Sequence, residues 1–156
     1  MRKRVIAVAE GAVPPAADWL PLEELAEVEI TSEDTAHPIE GALVAGGGAG
    51  WKADAPGKQT VRLLFADPQP VKRIWLRFNE PDTERTQEYV VRWSPDRGQS
   101  FRDVVRQQWN FSPGGAAVEI EDHRVALPAV TILELCITPD ISGGGAVASL
   151  DQLRLA

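Results

Sequence analysis

Seven side chains in the connections of this chain have the chemistry to hold a polar, ring-shaped ligand. They combine aromatic rings with amide, guanidinium and carboxylate groups, and they are Trp51, Arg85, Gln87, Trp109, Asn110, Phe111 and Asp140. An aromatic ring can stack on the apolar face of a sugar, while amide and guanidinium groups give its hydroxyls directional hydrogen bonds. Because binding residues concentrate in loops on a rigid scaffold, we predict that these seven residues form a ligand site.

These residues also have structural interpretations. Trp109 and Phe111 could plug the end of a barrel, since large aromatic side chains usually find burial. Arg85 could form an ion pair with Asp82 or Glu88 instead of contacting a ligand. The sequence leaves both interpretations open.

Signals for catalysis and for metal binding are weak. His37 and His123 are the only histidines, and Cys136 is the only cysteine, so no metal-ligand spacing can be assembled from them. The glycines before Trp51 lack the residues of a phosphate-binding loop, and the carboxylates of the 79–87 connection lack the glycine turn of a calcium loop. We therefore predict no catalytic residue, no metal site and no cofactor, and a protein that is not an enzyme.

Composition indicates one soluble domain. The chain has 156 residues and a formal net charge of −7, a length that can bury a sizeable core without disulfides. A negative net charge works against attraction to phosphate backbones and anionic lipids, so neither nucleic acid nor a membrane is an expected partner.

The N-terminal residues resemble a secretory signal only superficially. A basic start precedes an apolar run that Glu10 ends after about five residues, whereas a signal peptide needs ~7 to 15. Cys136 cannot form an internal disulfide, which fits a reducing compartment. The sequence therefore predicts a cytoplasmic location.

The elements that must position the seven residues are short strands. Asp18 could cap a short helix within an N-terminal extension over residues 1–27, which we expect to pack on a domain over 28–156. From residue 28, runs rich in Val, Ile, Leu, Phe and Trp alternate with Gly, Pro and Asp clusters, which is typical of an all-β sandwich. The predicted strands are 28–32, 59–66, 71–78, 88–94, 101–106, 117–125, 131–138 and 147–155.

Alternation along the strands assigns their faces. Ile74, Leu76 and Phe78 point to one side, and Trp75 points to the other, because successive strand side chains face opposite sides. A sheet with one polar face is usually antiparallel. The N-terminal extension covers Trp75, which is the interpretation we prefer, or Trp75 marks an interface with a partner protein or a second copy.

Alternating strand direction divides the connections between the two ends of the sandwich. One end receives the short connections, which are 67–70, 95–100 and 126–130. The other end receives the longer ones, which are 46–58, 79–87, 107–116 and 139–146, and these contain all seven candidate ligand residues.

Several segments occur in an order that resembles a known family. They are VEITSED, HPIEGAL, GW, QTVRLLF, VKRIWLRF, RTQEYVVRWSPDRGQSFRDV and ASLDQLRL. Over residues 28–155 the chain is similar to the discoidin or coagulation-factor type C domains, which are galactose-binding-like jelly rolls. The resemblance implies an antiparallel jelly roll of about eight strands whose loops at one end bind glycans, phospholipid head groups or protein surfaces.

The chain departs from the family at two places that matter for metal binding. Val44-Ala45-Gly46 stands where an Asp-Gly is common, and Gln152 stands at a late acidic position. Both departures argue against the family's structural calcium ion. The paired cysteines of secreted members are absent as well.

Two functions therefore remain. The first is a noncatalytic module that binds a carbohydrate or a similar polar ligand through the loops at one end of the sandwich. The alternative is a protein-interaction or assembly subunit that binds its partner through the Trp75 face.

Overall fold

The computed structural model describes residues 1–3 and 14–156, and antiparallel strands dominate it. The elements in chain order are α1 (Leu22–Leu25), β1 (Ala26–Ile30), α2 (Glu40–Leu43), β2 (Trp51–Pro56), β3 (Gln59–Asn79), β4 (Arg85–Ser94), β5 (Arg102–Phe111), β6 (Val118–Thr138), β7 (Val147–Leu150) and β8 (Gln152–Leu155). The predicted all-β antiparallel class is confirmed. Within the described residues, no helix has the length and apolar character needed to cross a membrane.

Two strands are much longer than the sequence predicted. β3 and β6 have 21 residues each and pair along their whole length, from Gln59 opposite Ile137 to Asn79 opposite Val118. The register of this pair shifts between residues 64 and 73, where two prolines lack the N–H that a regular ladder requires. The four strands predicted at 59–66, 71–78, 117–125 and 131–138 are therefore two bent strands, because the irregular register lets pairing continue through the proline segment.

The bend passes both strands from one layer of a sandwich to the other. The first half of β3 lies beside β1 and its second half lies beside β8, while β4 joins β6 and β5 forms the far edge. Side chains meet across the gap between the layers: the Phe78 and Tyr89 rings stack with centroids 5.3 Å apart, and the Tyr89 hydroxyl lies 2.7 Å from His123 Nε2.

The core follows the predicted alternation. Ile74, Leu76 and Phe78 are 0% exposed and face the interior of the sandwich. Trp75, on the opposite side of β3, is only 2% exposed, so that side is not the open polar face that the alternation predicted. The N-terminal segment lies on this layer. Its Trp19 ring stacks on the Arg73 guanidinium, whose carbon is 5.1 Å from the centroid of the ring.

The N-terminal helix is shorter than predicted, and Asp18 does not cap it. α1 has four residues and begins after Pro21, and no side chain bonds to its first turn. Asp18 is exposed. Proline suits the start of a helix because its missing N–H is not needed there. The sequence also missed α2, which is a single turn of four residues.

Two further strand predictions need correction. β2 lies inside the segment predicted as a connection over 46–58, and it pairs with β7, which places Trp51 opposite Leu150. The predicted strand 147–155 is two strands with different partners, because β7 pairs with β2 and β8 pairs with β3. Asp151 separates them, with its N–H donating to the Arg77 carbonyl at 2.9 Å.

Candidate functional site

The longer connections meet at one end of the sandwich, as alternating strand direction predicted. The Glu80 N–H donates to the Ala117 carbonyl at 2.7 Å, and the Ile141 N–H donates to the Thr86 carbonyl at 2.9 Å. We call this region, formed by connections 79–84, 112–117 and 139–146 and the strand residues next to them, the loop end.

The short connections meet at the opposite end. Arg97, in the turn between β4 and β5, donates through Nη1 to the Phe65 carbonyl at 2.7 Å and through Nη2 to the Ala66 carbonyl at 2.6 Å. Its N–H donates to the Thr131 hydroxyl at 2.9 Å. The bends of β3 and β6 therefore lie beside this turn. The predicted division between the two ends holds except for 46–58, most of which is β2 and whose residues 46–48 line a different cavity.

Arg85 holds the loop end together. Its side chain is buried, and Nε donates to the Glu80 carboxylate at 2.9 Å while Nη1 donates to the Pro139 carbonyl at 2.7 Å. The guanidinium carbon lies 4.7 Å from the centroid of the Phe111 ring. One side chain thus fixes the 79–84 connection, the 139–146 connection and the end of β5, and its ion-pair partner is Glu80, not Asp82 or Glu88.

Glu80 is the anionic member of this arrangement. Burial raises the pKa of its carboxyl, but the hydrogen bond from Arg85 and those from the Asp82 and Thr83 amides outweigh burial, so the net pKa is lowered. Glu80 therefore stays ionised at neutral pH and holds both Arg85 and the turn after it.

A second carboxylate beneath the loop end behaves in the opposite way. Glu119 on β6 is 0% exposed, and its Oε1 accepts a hydrogen bond from Gln87 Nε2 at 3.2 Å. Burial and the neighbouring Glu121 carboxylate raise the pKa of Glu119 to about 8. Glu119 Oε2 and Arg85 Nη2 are buried atoms without a hydrogen-bond partner in the structure. The interior below the loop end is therefore polar and titratable.

A depression of about 480 Å³ opens on one side of Arg85, and we call it the loop-end depression. Hydroxyl, amide and carboxylate groups dominate its lining, which consists of Glu84, Arg85, Thr86, Asn110, Phe111, Ser112, Asp140 and Ser142. Asn110 Oδ1 accepts a hydrogen bond from the Thr86 hydroxyl at 2.7 Å, which orients the amide of this exposed side chain.

Asp140 borders this depression and also a second one of similar volume. Its Oδ1 accepts bonds from the Ser142 N–H at 3.0 Å and the Ser142 hydroxyl at 2.7 Å. These bonds lower the pKa of the Asp140 carboxyl, which is therefore ionised at neutral pH. The second depression, also about 480 Å³, is lined by Lys52, Asn79, Asp82, Thr83, the glycines 143–145 and Ser149 among others.

The structure separates the seven predicted ligand residues into two groups. Asn110 and Asp140 border the loop-end depression, with Arg85 and Phe111 behind them as its wall. Three others do not line it, and each has a partner within the protein: Trp51 Nε1–H donates to the Ser32 carbonyl at 3.0 Å, Gln87 bonds to Glu119, and Trp109 Nε1–H donates to the Ala116 carbonyl at 3.3 Å.

Burial decides which of the predicted aromatic rings can meet a ligand. Trp51 is 1% exposed and Phe111 is 0% exposed, so neither ring offers a stacking surface. Trp109 is half-buried and packs against the core from β5. The loop-end depression therefore presents polar groups, and the Trp51 and Phe111 rings offer no exposed face for the predicted aromatic stacking.

The sequence interpretation missed several polar residues of the depression. Thr86, Ser112 and Ser142 all line it. The register of β4 with β5 places Thr86 opposite Asn110, so a correct pairing of these two strands would have identified Thr86. Ser112 and Ser142 follow no pattern that the sequence displays, because their positions depend on loop conformation.

Metal-ligand groups do not cluster anywhere in residues 1–3 and 14–156: no set of three His, Cys, Asp or Glu side chains is placed to hold an ion.

Comparison with known proteins identifies the fold. No family model matches the chain, and no curated protein sequence matches it. A family 32 carbohydrate-binding module from C. perfringens NanJ, solved in complex with galactose, superposes with a TM-score of 0.61 at 18% identity, covering 88% of this chain and 96% of that chain. A similar module of AlyQ in complex with 4,5-unsaturated mannuronic acid gives a TM-score of 0.60 at 14% identity, covering 85% and 95%.

A third similar structure is a CBM32 domain from Clostridium perfringens in complex with GalNAc-β-1,3-galactose. Its TM-score is 0.57 at 18% identity, and the match covers 88% of this chain and 99% of that chain. The chain therefore has the jelly-roll fold of these modules, as the sequence resemblance implied.

Proposed function

We propose that the protein is a noncatalytic carbohydrate-binding module whose ligand occupies the loop-end depression. The observation that carries the proposal is the polar lining of that depression on a fixed base: Asn110 oriented by Thr86, and Asp140 ionised beside Ser142. Hydroxyl groups of a saccharide both donate and accept hydrogen bonds, so amide, hydroxyl and carboxylate partners suit them.

The rigid base of the depression supports the same function. Arg85 joins two connections and the end of β5 through its bonds to Glu80 and Pro139 and its stacking on Phe111. A site that is held in place before binding loses little conformational entropy when the ligand arrives. Arg85 is thus a positioning residue, and the residues that contact the ligand are those at the rim.

The charge of the rim favours neutral saccharides over acidic ones. Glu84 and Asp140 line the depression, and the cationic Arg85 behind them is already paired with Glu80. An acidic sugar would place its carboxylate beside like charges, which is unfavourable in a partly desolvated site. We therefore expect binding of hexoses and their N-acetyl derivatives.

The experiment is a nuclear magnetic resonance titration with galactose, N-acetylgalactosamine, cellobiose and galacturonate. We expect the side-chain amide signals of Asn110 to shift with at least one neutral saccharide. Ser112→Trp places an indole in the depression at an exposed position and should abolish the shift, whereas Gln99→Trp at the opposite end should not. Unchanged signals with all four saccharides would refute the proposal.

A further inference from the structure

A larger cavity lies away from the loop end, beside the N-terminal segment, and its volume is about 720 Å³. It is lined by residues 14–17 and 19–21, by Leu43 at the end of α2 and the segment 44–48 after it, and by Gln152 and Arg154 of β8. We call it the N-terminal cavity. Ligand pockets in proteins are typically about 300–1,000 Å³ and are lined mostly by apolar groups with a few polar ones. The walls here fit that description, with Leu20, Leu43 and Val44 beside Glu23 and Arg154.

Trp19 is fixed in the wall of this cavity before any ligand binds. Its Nε1–H donates to the Pro15 carbonyl at 2.9 Å, and the Arg73 guanidinium stacks on the ring at 5.1 Å from its centroid. Arg73 is itself held by two hydrogen bonds to the Asp122 carboxylate, at 2.8 and 2.6 Å. Trp19 also lines the cavity, so part of its indole surface is available to a ligand ring.

Arg154 supplies hydrogen-bond donors to the same cavity. It is 7% exposed, and its Nη1 donates to the Ala42 carbonyl at 2.7 Å and to the Leu153 carbonyl at 2.8 Å. Within residues 14–156, no group accepts a hydrogen bond from its Nε or Nη2, although a guanidinium has five N–H donors. Arg154 also lines the cavity, so these N–H groups are donors that an acceptor on a ligand can use.

Glu23 balances the charge of this site. Burial lowers the pKa of Arg154, and the Glu23 carboxylate, which also lines the cavity, acts in the opposite direction. The charges of Arg154 and Glu23 cancel. The cavity therefore favours an uncharged ligand that accepts a hydrogen bond from Arg154 and donates one to Glu23.

We infer that the N-terminal cavity is a second saccharide site, in which one face of a pyranose ring packs on Trp19 while its hydroxyls bond to Arg154 and Glu23. The inference rests on the proposed function for the class of ligand, but its residues are separate from the loop-end depression. It provides the combination of an aromatic ring with polar partners that the loop end lacks.

The test uses the same titration with galactose, N-acetylgalactosamine and cellobiose, observed at the indole N–H signals of the tryptophans. We expect the Trp19 signal, assigned with Trp19→Phe, to shift with at least one saccharide and to keep that shift in Ser112→Trp, in which the loop-end depression is blocked. Ala45→Trp fills the N-terminal cavity and should abolish the shift. Ala126→Trp, at an exposed alanine of β6 outside the cavity, is the matched control and should retain it.

Calorimetry on Trp19→Ala provides a second measurement in case Ala45→Trp does not fold. Loss of the stacking surface should weaken binding at the cavity about tenfold while the loop-end signals of Asn110 respond as in the wild type. A Trp19 signal that does not move while Asn110 responds would overturn the second site and leave the proposed function intact. A Trp19 shift that disappears in Ser112→Trp would show a single site and would also overturn the inference.

Discussion

Replacing Glu119 with glutamine should make the protein more stable, and the gain should grow as the pH rises. Glu119 is 0% exposed, and burial together with Glu121 raises the pKa of its carboxyl to about 8. The folded protein therefore keeps a proton on Glu119 at neutral pH that the unfolded chain releases. A group whose pKa is raised on folding contributes stability below its unfolded pKa and loses it as pH rises through the folded value.

The size of this stability difference follows from one proton, which the folded protein keeps on Glu119 and the unfolded chain releases. Between the ordinary glutamate pKa and about 8, the wild type should lose on the order of 1 kcal/mol of unfolding free energy per pH unit through this residue. Glutamine cannot ionise, and its side-chain oxygen can still accept from Gln87 Nε2. The stability of Glu119→Gln minus that of the wild type should therefore rise with that slope and become constant above about pH 8.

Urea denaturation at a series of pH values measures this difference directly. Carboxylates with lowered pKa, such as Asp140, affect both proteins equally and cancel in the subtraction. Parallel stability curves for wild type and Glu119→Gln would show that Glu119 is ionised in the folded protein and would refute the reasoning.

Four further outcomes follow from the same contacts. Trp51→Ala should lower the unfolding free energy by about 3–5 kcal/mol in denaturant titration while saccharide binding is unchanged, because the ring lies in the core. Arg85→Met leaves Glu80 without its cation, so it should cost about 3 kcal/mol and speed amide exchange in the 139–146 connection; unchanged exchange would contradict its positioning role. A chelator should leave Tm unchanged, and a drop of several degrees would reveal a bound ion. Trp75→Asp should lower stability without changing the mass measured by light scattering; dissociation of an oligomer would instead support an interface there.

The sequence predicted the two ends of the sandwich correctly although it divided the strands incorrectly. β3 and β6 bend where the sequence indicated the connections 67–70 and 126–130, beside the turn that contains Arg97. A strand that bends from one layer to the other reverses its direction between the two ends of the sandwich, as two strands joined by a loop would. Successive connections therefore alternate between the two ends whether residues 64–73 are counted as a loop or as an irregular part of β3.

The composition of the site could not be predicted to the same extent. Trp51 follows a glycine cluster, a pattern that predicts a loop, but it pairs with Leu150, about a hundred positions later, and this distant pairing buries the ring. Burial of that kind depends on contacts between remote segments, which a local pattern does not reveal. Asn110 and Asp140 border the loop-end depression, and their place in the long predicted connections agrees with the tendency of loops to lie at the surface.

The N-terminal segment shows the same limit. Its prolines and Trp19 indicated an extension distinct from the strands, but nothing local to the segment specifies that Trp19 stacks on Arg73 or that the Leu20 N–H donates to the Leu155 carbonyl at 2.7 Å. These contacts join the first and last parts of the described chain. They create the N-terminal cavity, and so a candidate site that the sequence did not suggest.

A crystal structure of the protein soaked with the saccharide that shifts Asn110 most strongly would test the carbohydrate-binding proposal most directly. We predict density for a sugar ring in the loop-end depression, with hydroxyls within hydrogen-bond distance of Asn110 and Asp140 and with Arg85 still bonded to Glu80 and Pro139. An empty loop-end depression at a saccharide concentration that saturates binding in solution would contradict the proposal.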